Sequence, residues 1–198
     1  MNVLIVAGSR VGGTKIGEWL SYELGIEYIH EPFAHWRSEL GIDYNRRKLI
    51  KELNNVIVKV FPGKEFETLT EEIGIKWDKI IGIVRENEEE CVQSILMAED
   101  TNVWHSEYSI TNEWLGNNKG RIEENKERVR EWNKRIRENP IIGHQITYEG
   151  IYNTKTDMES LKVYLEVREW RFDSMLNPKW RYRRDSSQPQ APQPKTLI

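Results

Sequence analysis

The sequence is poor in cysteine and in long apolar runs, the features that mark disulfide-rich, metal-binding, secreted and membrane proteins. It contains one cysteine, Cys91, in 198 residues. That excludes an internal disulfide and a metal site built from several cysteines, and it fits a reducing compartment. No apolar run approaches the roughly 20 residues that span a bilayer. The apolar start VLIVA is too short for a signal-peptide core and follows no basic stretch. We therefore expect a cytoplasmic protein without a membrane span.

The chain also lacks a basic excess. Its net charge is −3, and we expect it not to bind nucleic acid in general, because such domains usually carry a clear positive charge. Charged residues make up 31% and hydrophobic residues 38%, with eight Trp. This composition predicts one globular domain over residues 1–185. Residues 186–198 hold three Pro and three Gln, which predicts a flexible tail.

Strand-like and helix-like segments alternate along the chain. Continuous apolar runs predict buried strands, and apolar residues at helical spacing predict helices. The predicted strands are Val3–Ala7, Val56–Phe61, Ile80–Val84 and Ile141–Thr147. The predicted helices run from Gly12-Gly13 to a stop at Gly25, and over Thr68–Ile73, Glu88–Ala98, residues 121–138 and Met158–Val167. This alternation predicts a three-layer α/β/α domain around a mostly parallel sheet.

A glycine-rich turn, GSRVGGTK at residues 8–15, joins the first strand to the first helix. Strand, glycine turn and helix together aim backbone N–H groups and the positive helix end at an anion. Arg10 or Lys15 can add charge, and Thr14 supplies a hydroxyl. The turn has neither GxxxxGK[ST] nor GxGxxG, so the usual Ser/Thr ligand of Mg²⁺ is missing. A metal-free phosphate site is favoured over an ATPase, and a purely structural turn is the alternative.

Several segments, in the same order, resemble P-loop sulfotransferases, which use 3′-phosphoadenosine-5′-phosphosulfate (PAPS). SRVGGTKIGEWL resembles their PRSGTT-type loop, and YIHEPFAHW (28–36) resembles the GEPF segment of the trehalose-type branch. Residues 80–105 and 122–151 resemble later segments of that branch. The resemblance implies sulfonate transfer from PAPS to a hydroxyl of a carbohydrate or small molecule, leaving 3′-phosphoadenosine-5′-phosphate, without a metal. It also implies a possible homodimer.

The resemblance assigns cofactor-binding roles. Arg10, Gly12 and Thr14 match the loop pattern, whereas Val11 and Gly13 replace residues that usually carry hydroxyls; Ser9 and Lys15 complete the predicted cradle. Arg85 and Ser94 match the pair that holds the 3′-phosphate. Their spacing is nine residues, whereas the commoner spacing of eight would place Gln93 there. The late basic segment RYRRD, with Arg183 and Arg184, can add charge. A helix cap with a structural arginine, and a solvated tail, are the alternatives.

The resemblance also suggests catalytic residues. Sulfonate transfer needs a base at the acceptor and positive charge near the leaving group. Glu31 is the candidate base, with His30 and His35 as the alternatives. We expect partial burial to raise the pKa of Glu31. Lys59, inside the apolar strand VIVKVF, and Arg10 are the candidate cations; an edge position for Lys59 is the alternative.

The predicted acceptor-site residues are His30, Phe33, His35, Trp104 and His105, whereas Tyr148 and Glu149 are expected to be structural. Two other functions stay open from the sequence. One is a non-catalytic sulfotransferase-like domain that binds a nucleotide or a partner, and the other is a P-loop small-molecule kinase.

Overall fold

The computed structural model describes residues 1–32, 54–72, 75–104 and 110–170. The strands are β1 (Val3–Ala7), β2 (Glu27–His30), β3 (Val56–Val60), β4 (Lys79–Val84) and β5 (His144–Thr147). The helices are α1 (Gly13–Leu24), α2 (Lys64–Glu67), α3 (Glu88–Thr101), α4 (Asn112–Arg137), α5 (Tyr148–Tyr152) and α6 (Thr156–Tyr164). A π-helical turn over Thr68–Glu72 follows α2 directly.

The five strands form one parallel sheet in the order β2-β3-β1-β4-β5. β1 lies at its centre, and all five of its residues are buried. Because parallel strands are covered on both faces, their side chains are apolar in a continuous run, as VLIVA is. The predicted α/β fold class is confirmed.

Side chains from alternate strand positions enter two separate hydrophobic clusters. Val3 and Ile5 of β1 pack in one cluster, which Ile16, Trp19 and Leu20 of α1 also join. Leu4 and Val6 of β1 belong to the second cluster, together with Phe66, Leu69, Ile136 and Ile142. The sheet therefore has a core on each face, as the three-layer prediction requires.

The long helix α4 links the two cores. Ile122 and Val129 belong to the first cluster and Ile136 to the second. The sequence predicted this helix only from residue 121, whereas it begins at Asn112, where the Thr111 hydroxyl accepts a hydrogen bond from the Trp114 amide at 3.1 Å. Two glycines in its first turns, Gly116 and Gly120, weaken the helical signal there.

Other boundaries differ from prediction at the less buried elements. β2, with the sequence EYIH, was not predicted as a strand; it lies at the sheet edge and is only partly buried, so its apolar pattern is weak. The helix predicted over Thr68–Ile73 is preceded by α2, which begins at Lys64. The last predicted strand begins at His144 rather than Ile141.

The direction of the chain across the sheet reverses at the carboxyl ends of β1 and β4, and we call the space between these two strand ends the crevice. From β1 the chain passes towards β2 on one side, and from β4 it passes to β5 on the other. Open α/β sheets bind ligands at such a switch point. The glycine turn after β1 and Arg85 after β4 both lie there. No helix in the described ranges is long and apolar enough to cross a membrane.

Candidate functional site

The glycine turn is held tightly at the start of α1. Gly12 precedes the helix with φ 79°, and Arg10 also has a positive φ of 59°. The Tyr152 hydroxyl donates a hydrogen bond to the Gly12 carbonyl at 3.1 Å. A Cβ on Gly12 would lie 2.5 Å from a ring carbon of Tyr152. Both the dihedral and this close packing require glycine.

Gly13 lets the helix approach the sheet over Lys59. A Cβ on Gly13 would lie 2.7 Å from the Cβ of Ala7 and 3.3 Å from the Cε of Lys59. Lys59 is 3% exposed on the interior strand β3, so the buried interpretation of this lysine is confirmed and the edge alternative is wrong. Val11 and Lys15 are also buried, and Val11 packs in the core, so only its backbone can face a ligand.

A polar network joins the glycine turn to the end of β2. The Glu31 carboxylate forms an ion pair with Lys59, and its Oε1 lies 3.2 Å from Nε2 of His30. That ring nitrogen lies 2.9 Å from the Thr14 hydroxyl in the first turn of α1. Glu31 has a positive φ of 41°, and its amide donates to the Lys59 carbonyl at 3.0 Å. The structure therefore brings Glu31, His30, Lys59 and Thr14 together.

The electrostatics of Glu31 differ from the prediction. Burial by itself raises the pKa of Glu31, but the His30 hydrogen bond and the Lys59 charge outweigh it and lower this pKa to about 2. The predicted rise of the pKa is therefore wrong for this arrangement, because the sequence did not show that Lys59 would meet the carboxylate. Burial lowers the pKa of Lys59, and the Glu31 charge opposes that effect.

A second cluster spans the crevice between β1 and β4. The Arg10 Nε donates to the Ser94 hydroxyl at 2.7 Å, and another of its nitrogens donates to the Trp104 carbonyl. The Arg85 guanidinium donates to the Arg10 carbonyl at 3.1 Å. The hydroxyl of Ser94 therefore joins this cluster, whereas the Gln93 amide contacts Glu89 on the same helix at 3.3 Å.

Acidic and aromatic groups surround Arg85. One of its terminal nitrogens donates to Glu90 Oε2 at 3.1 Å, and its Nε lies 4.0 Å from Glu149 Oε1. The guanidinium stacks 4.2 Å from the centre of the Tyr148 ring. The Glu149 carboxylate also accepts hydrogen bonds from the amides of Glu86 and Asn87, both at 3.1 Å.

Tyr148, Glu149 and Tyr152 are the site residues that sequence reasoning missed or treated only as structural. Glu149 does support the backbone through two amides, whereas Tyr148 stacks on the Arg85 guanidinium at the end of β4. The available signal was their position directly after β5, because the carboxyl ends of parallel strands meet at one edge of the sheet. Nothing in the residue pattern pairs Tyr152 with Gly12, 140 residues away.

Of the other residues predicted for the site, Trp104 and Ser9 are described in the structure and the rest are not. Trp104 lies three residues after the end of α3 and is 40% exposed. The Ser9 carbonyl faces the Cys91 thiol at 3.5 Å. Phe33, His35, His105, Arg183 and Arg184 lie outside the described residues, as does the tail at 186–198. Within the described ranges, no group of three or more His, Cys, Asp or Glu side chains could hold a metal ion.

Solved structures with similar architecture include both kinases and a sulfotransferase. Shikimate kinase from Aquifex aeolicus is 12% identical, with a TM-score of 0.47 over 84% of this chain and 96% of its own. Shikimate kinase from Acinetobacter baumannii, in complex with shikimate, is 12% identical, with a TM-score of 0.49 over 84% of this chain and 94% of its own. The sulfotransferase domain from the curacin biosynthetic pathway is 14% identical, with a TM-score of 0.47 over 88% of this chain and 75% of its own.

Neither a family model nor a curated protein matches the chain. The structural likenesses concern the arrangement of strands and helices, at identities and scores too low to assign an activity.

Proposed function

We propose that this chain transfers a sulfonate group from PAPS to a hydroxyl of a carbohydrate or small-molecule acceptor. The observation that carries the proposal is the meeting of Glu31 and Lys59 beside the start of α1. Sulfonate transfer needs a base on the acceptor side of the sulfur and positive charge on the leaving-group side. This pair places both at a helix N-terminus that favours anions.

The residues present fit the proposed nucleotide. Helix α1 begins directly after the half-buried Gly12, and the backbone N–H groups of its first turn can hold the 5′-phosphosulfate. Across the crevice, the Nε of Arg85 is buried without a hydrogen-bond partner among the described residues. Arg85 and Ser94 would hold the 3′-phosphate. Arg10, whose Nε bonds to Ser94, would join them there rather than act on the leaving-group side as the sequence suggested. PAPS supplies a sulfonate that is activated by its bond to phosphate.

Lys59 has two roles in this proposal. In the structure it neutralises Glu31. A bound phosphosulfate offers Lys59 a second anionic partner, and Lys59 would then stabilise charge on the departing phosphate oxygen. When the phosphosulfate and Glu31 share the charge of Lys59, that charge lowers the pKa of Glu31 by less. The effect of burial, which raises this pKa, then counts for more. Glu31 then takes the acceptor proton as the new O–S bond forms and the bond from sulfur to the phosphate oxygen breaks.

Calorimetric titration with three nucleotides tests the proposal. We expect 3′-phosphoadenosine-5′-phosphate to bind at least about tenfold more tightly than adenosine 5′-phosphate, since a buried arginine gains a charge-assisted bond to the extra phosphate. ATP with Mg²⁺ is the third ligand. Tighter binding of ATP with Mg²⁺ would contradict the proposal and favour a kinase, and binding of none of the three would favour a non-nucleotide role.

The Glu31→Gln variant tests the catalytic assignment. We expect its turnover with PAPS to fall by at least about 100-fold, because a positioned general base contributes roughly 10²- to 10⁴-fold. Binding of 3′-phosphoadenosine-5′-phosphate should not weaken by more than about threefold, because Glu31 acts on the acceptor side and its replacement leaves Lys59 available to the phosphate. Wild-type-like turnover would remove Glu31 from the mechanism and leave His30 and His35 as the candidate bases.

A further inference from the structure

Arg85 uses its hydrogen-bonding groups unevenly. It lies at the carboxyl end of β4 and is only 8% exposed. One terminal nitrogen donates to the Arg10 carbonyl and the other to Glu90, whereas Nε makes no hydrogen bond among the described residues. A guanidinium presents a planar fork of donors that fits a phosphate with two parallel bonds. In the structure, Oε2 of Glu90 accepts a hydrogen bond from one of these donors.

The two carboxylates beside Arg85 are held differently. Glu149 is 22% exposed and accepts hydrogen bonds from two backbone amides, so moving it would leave those amides without their acceptor. The Glu90 side chain is 58% exposed and projects from the first turn of α3. Water can solvate its carboxylate when the contact with Arg85 breaks, so releasing it costs little.

We propose that Glu90 is the internal counterion that Arg85 exchanges for the 3′-phosphate of the nucleotide. This inference rests on the proposed function and names the residue that sets affinity for 3′,5′-bisphosphate nucleotides. Glu90 and Glu149 together neutralise Arg85 when no nucleotide is bound. It also competes with the phosphate, which weakens binding of the desulfonated product and favours its release.

Glu89 offers a matched control. Its side chain is 57% exposed, almost the same as that of Glu90, but its carboxylate pairs with Lys126 at 3.0 Å. Glu89→Gln and Glu90→Gln each remove one negative charge from adjacent positions of the same helix turn. A general change in the electrostatic field of the crevice would affect both variants alike, whereas direct competition for Arg85 affects only Glu90→Gln.

The experiment is calorimetric titration of the wild type, Glu90→Gln and Glu89→Gln with 3′-phosphoadenosine-5′-phosphate and with adenosine 5′-phosphate. We expect Glu90→Gln to bind the bisphosphate about three- to tenfold more tightly than the wild type, and Glu89→Gln to differ by less than about twofold. Binding of the monophosphate should change by less than about twofold in both variants, because it has no 3′-phosphate to compete.

The outcomes separate this inference from the function on which it rests. If the wild type prefers the bisphosphate but Glu90→Gln binds it no more tightly, the exchange is wrong and the proposed function stands. Equal tightening in Glu89→Gln and Glu90→Gln would also overturn the exchange, because it indicates a general field effect. If neither the wild type nor Glu90→Gln prefers the bisphosphate, the proposed function and the exchange fail together.

Discussion

Two ion pairs lie at the same edge of the sheet but differ in how exposed their glutamate side chains are. Lys59 pairs with Glu31, and their side chains are 3% and 13% exposed. Arg85 pairs with Glu90, and here the acid is 58% exposed although the arginine is buried. Both cations need a counterion, because a buried unpaired charge is costly. Only the second counterion can leave for water at little cost.

The difference follows from the elements that carry the acids. Glu31 directly follows β2, and its amide bonds to the carbonyl of Lys59 itself, so backbone and side chain are fixed together. Glu90 belongs to the first turn of α3, and its side chain is largely exposed there. A buried pair that is fixed at both ends is costly to break, whereas a pair that is fixed at one end is available for exchange.

Replacing Lys59 by Met should have the largest effect on stability, because it removes the cation of the buried pair. The variant leaves the Glu31 carboxylate buried without its cation, and removing one partner of a buried pair costs about 3 to 5 kcal/mol. We expect the free energy of unfolding, measured in urea, to fall by about that amount. The double variant Lys59→Met/Glu31→Gln is the control, and it should recover part of the loss. A loss below about 1 kcal/mol would show that the pair does not stabilise the fold.

Acid should weaken the buried pair next most strongly. The pKa of Glu31 is lowered from 4.5 to about 2, because the His30 hydrogen bond and the Lys59 charge outweigh burial, which raises it. The stabilisation is therefore complete above about pH 4.5 and is lost as the pH falls towards 2. The full linked change is about 3 kcal/mol, and about 2 kcal/mol of it falls between pH 5 and pH 3. Urea unfolding at pH 5, 4 and 3 measures it, and Glu31→Gln should lack this part of the slope. An equal slope in that variant would contradict the assignment.

Replacing Glu90 by Gln should have the smallest effect on stability. Its carboxylate is largely exposed, and exposed pairs contribute roughly 0 to 1 kcal/mol. We expect the free energy of unfolding to change by less than about 1 kcal/mol, and Glu89→Gln provides the matched baseline. A loss comparable with that of Lys59→Met would show that the two pairs do not differ as described.

The outcome of the sequence predictions depended on burial. β1, β3 and β4 were predicted within one residue at each end, because strands buried on both faces are continuous apolar runs. The edge strand β2 was not predicted, because it is short and only partly buried. For the candidate site, the glycine turn and the buried Lys59 could be recognised from the sequence. The partners of Lys59 and Arg85 could not, because the contacts with Glu31 and Glu149 join residues 28 and 64 positions apart.

The sequence by itself determined the parallel α/β sheet, the glycine turn after its first strand and the presence of a lysine inside its third. These follow from local rules, which act within a few residues through apolar periodicity and backbone freedom. Only the tertiary structure decided that Glu31 would be held as an ion pair with a lowered pKa, and that Glu90 and Glu149 would share Arg85. Charges interact through space, so their energies depend on distances and burial that appear only after the strands and helices have packed.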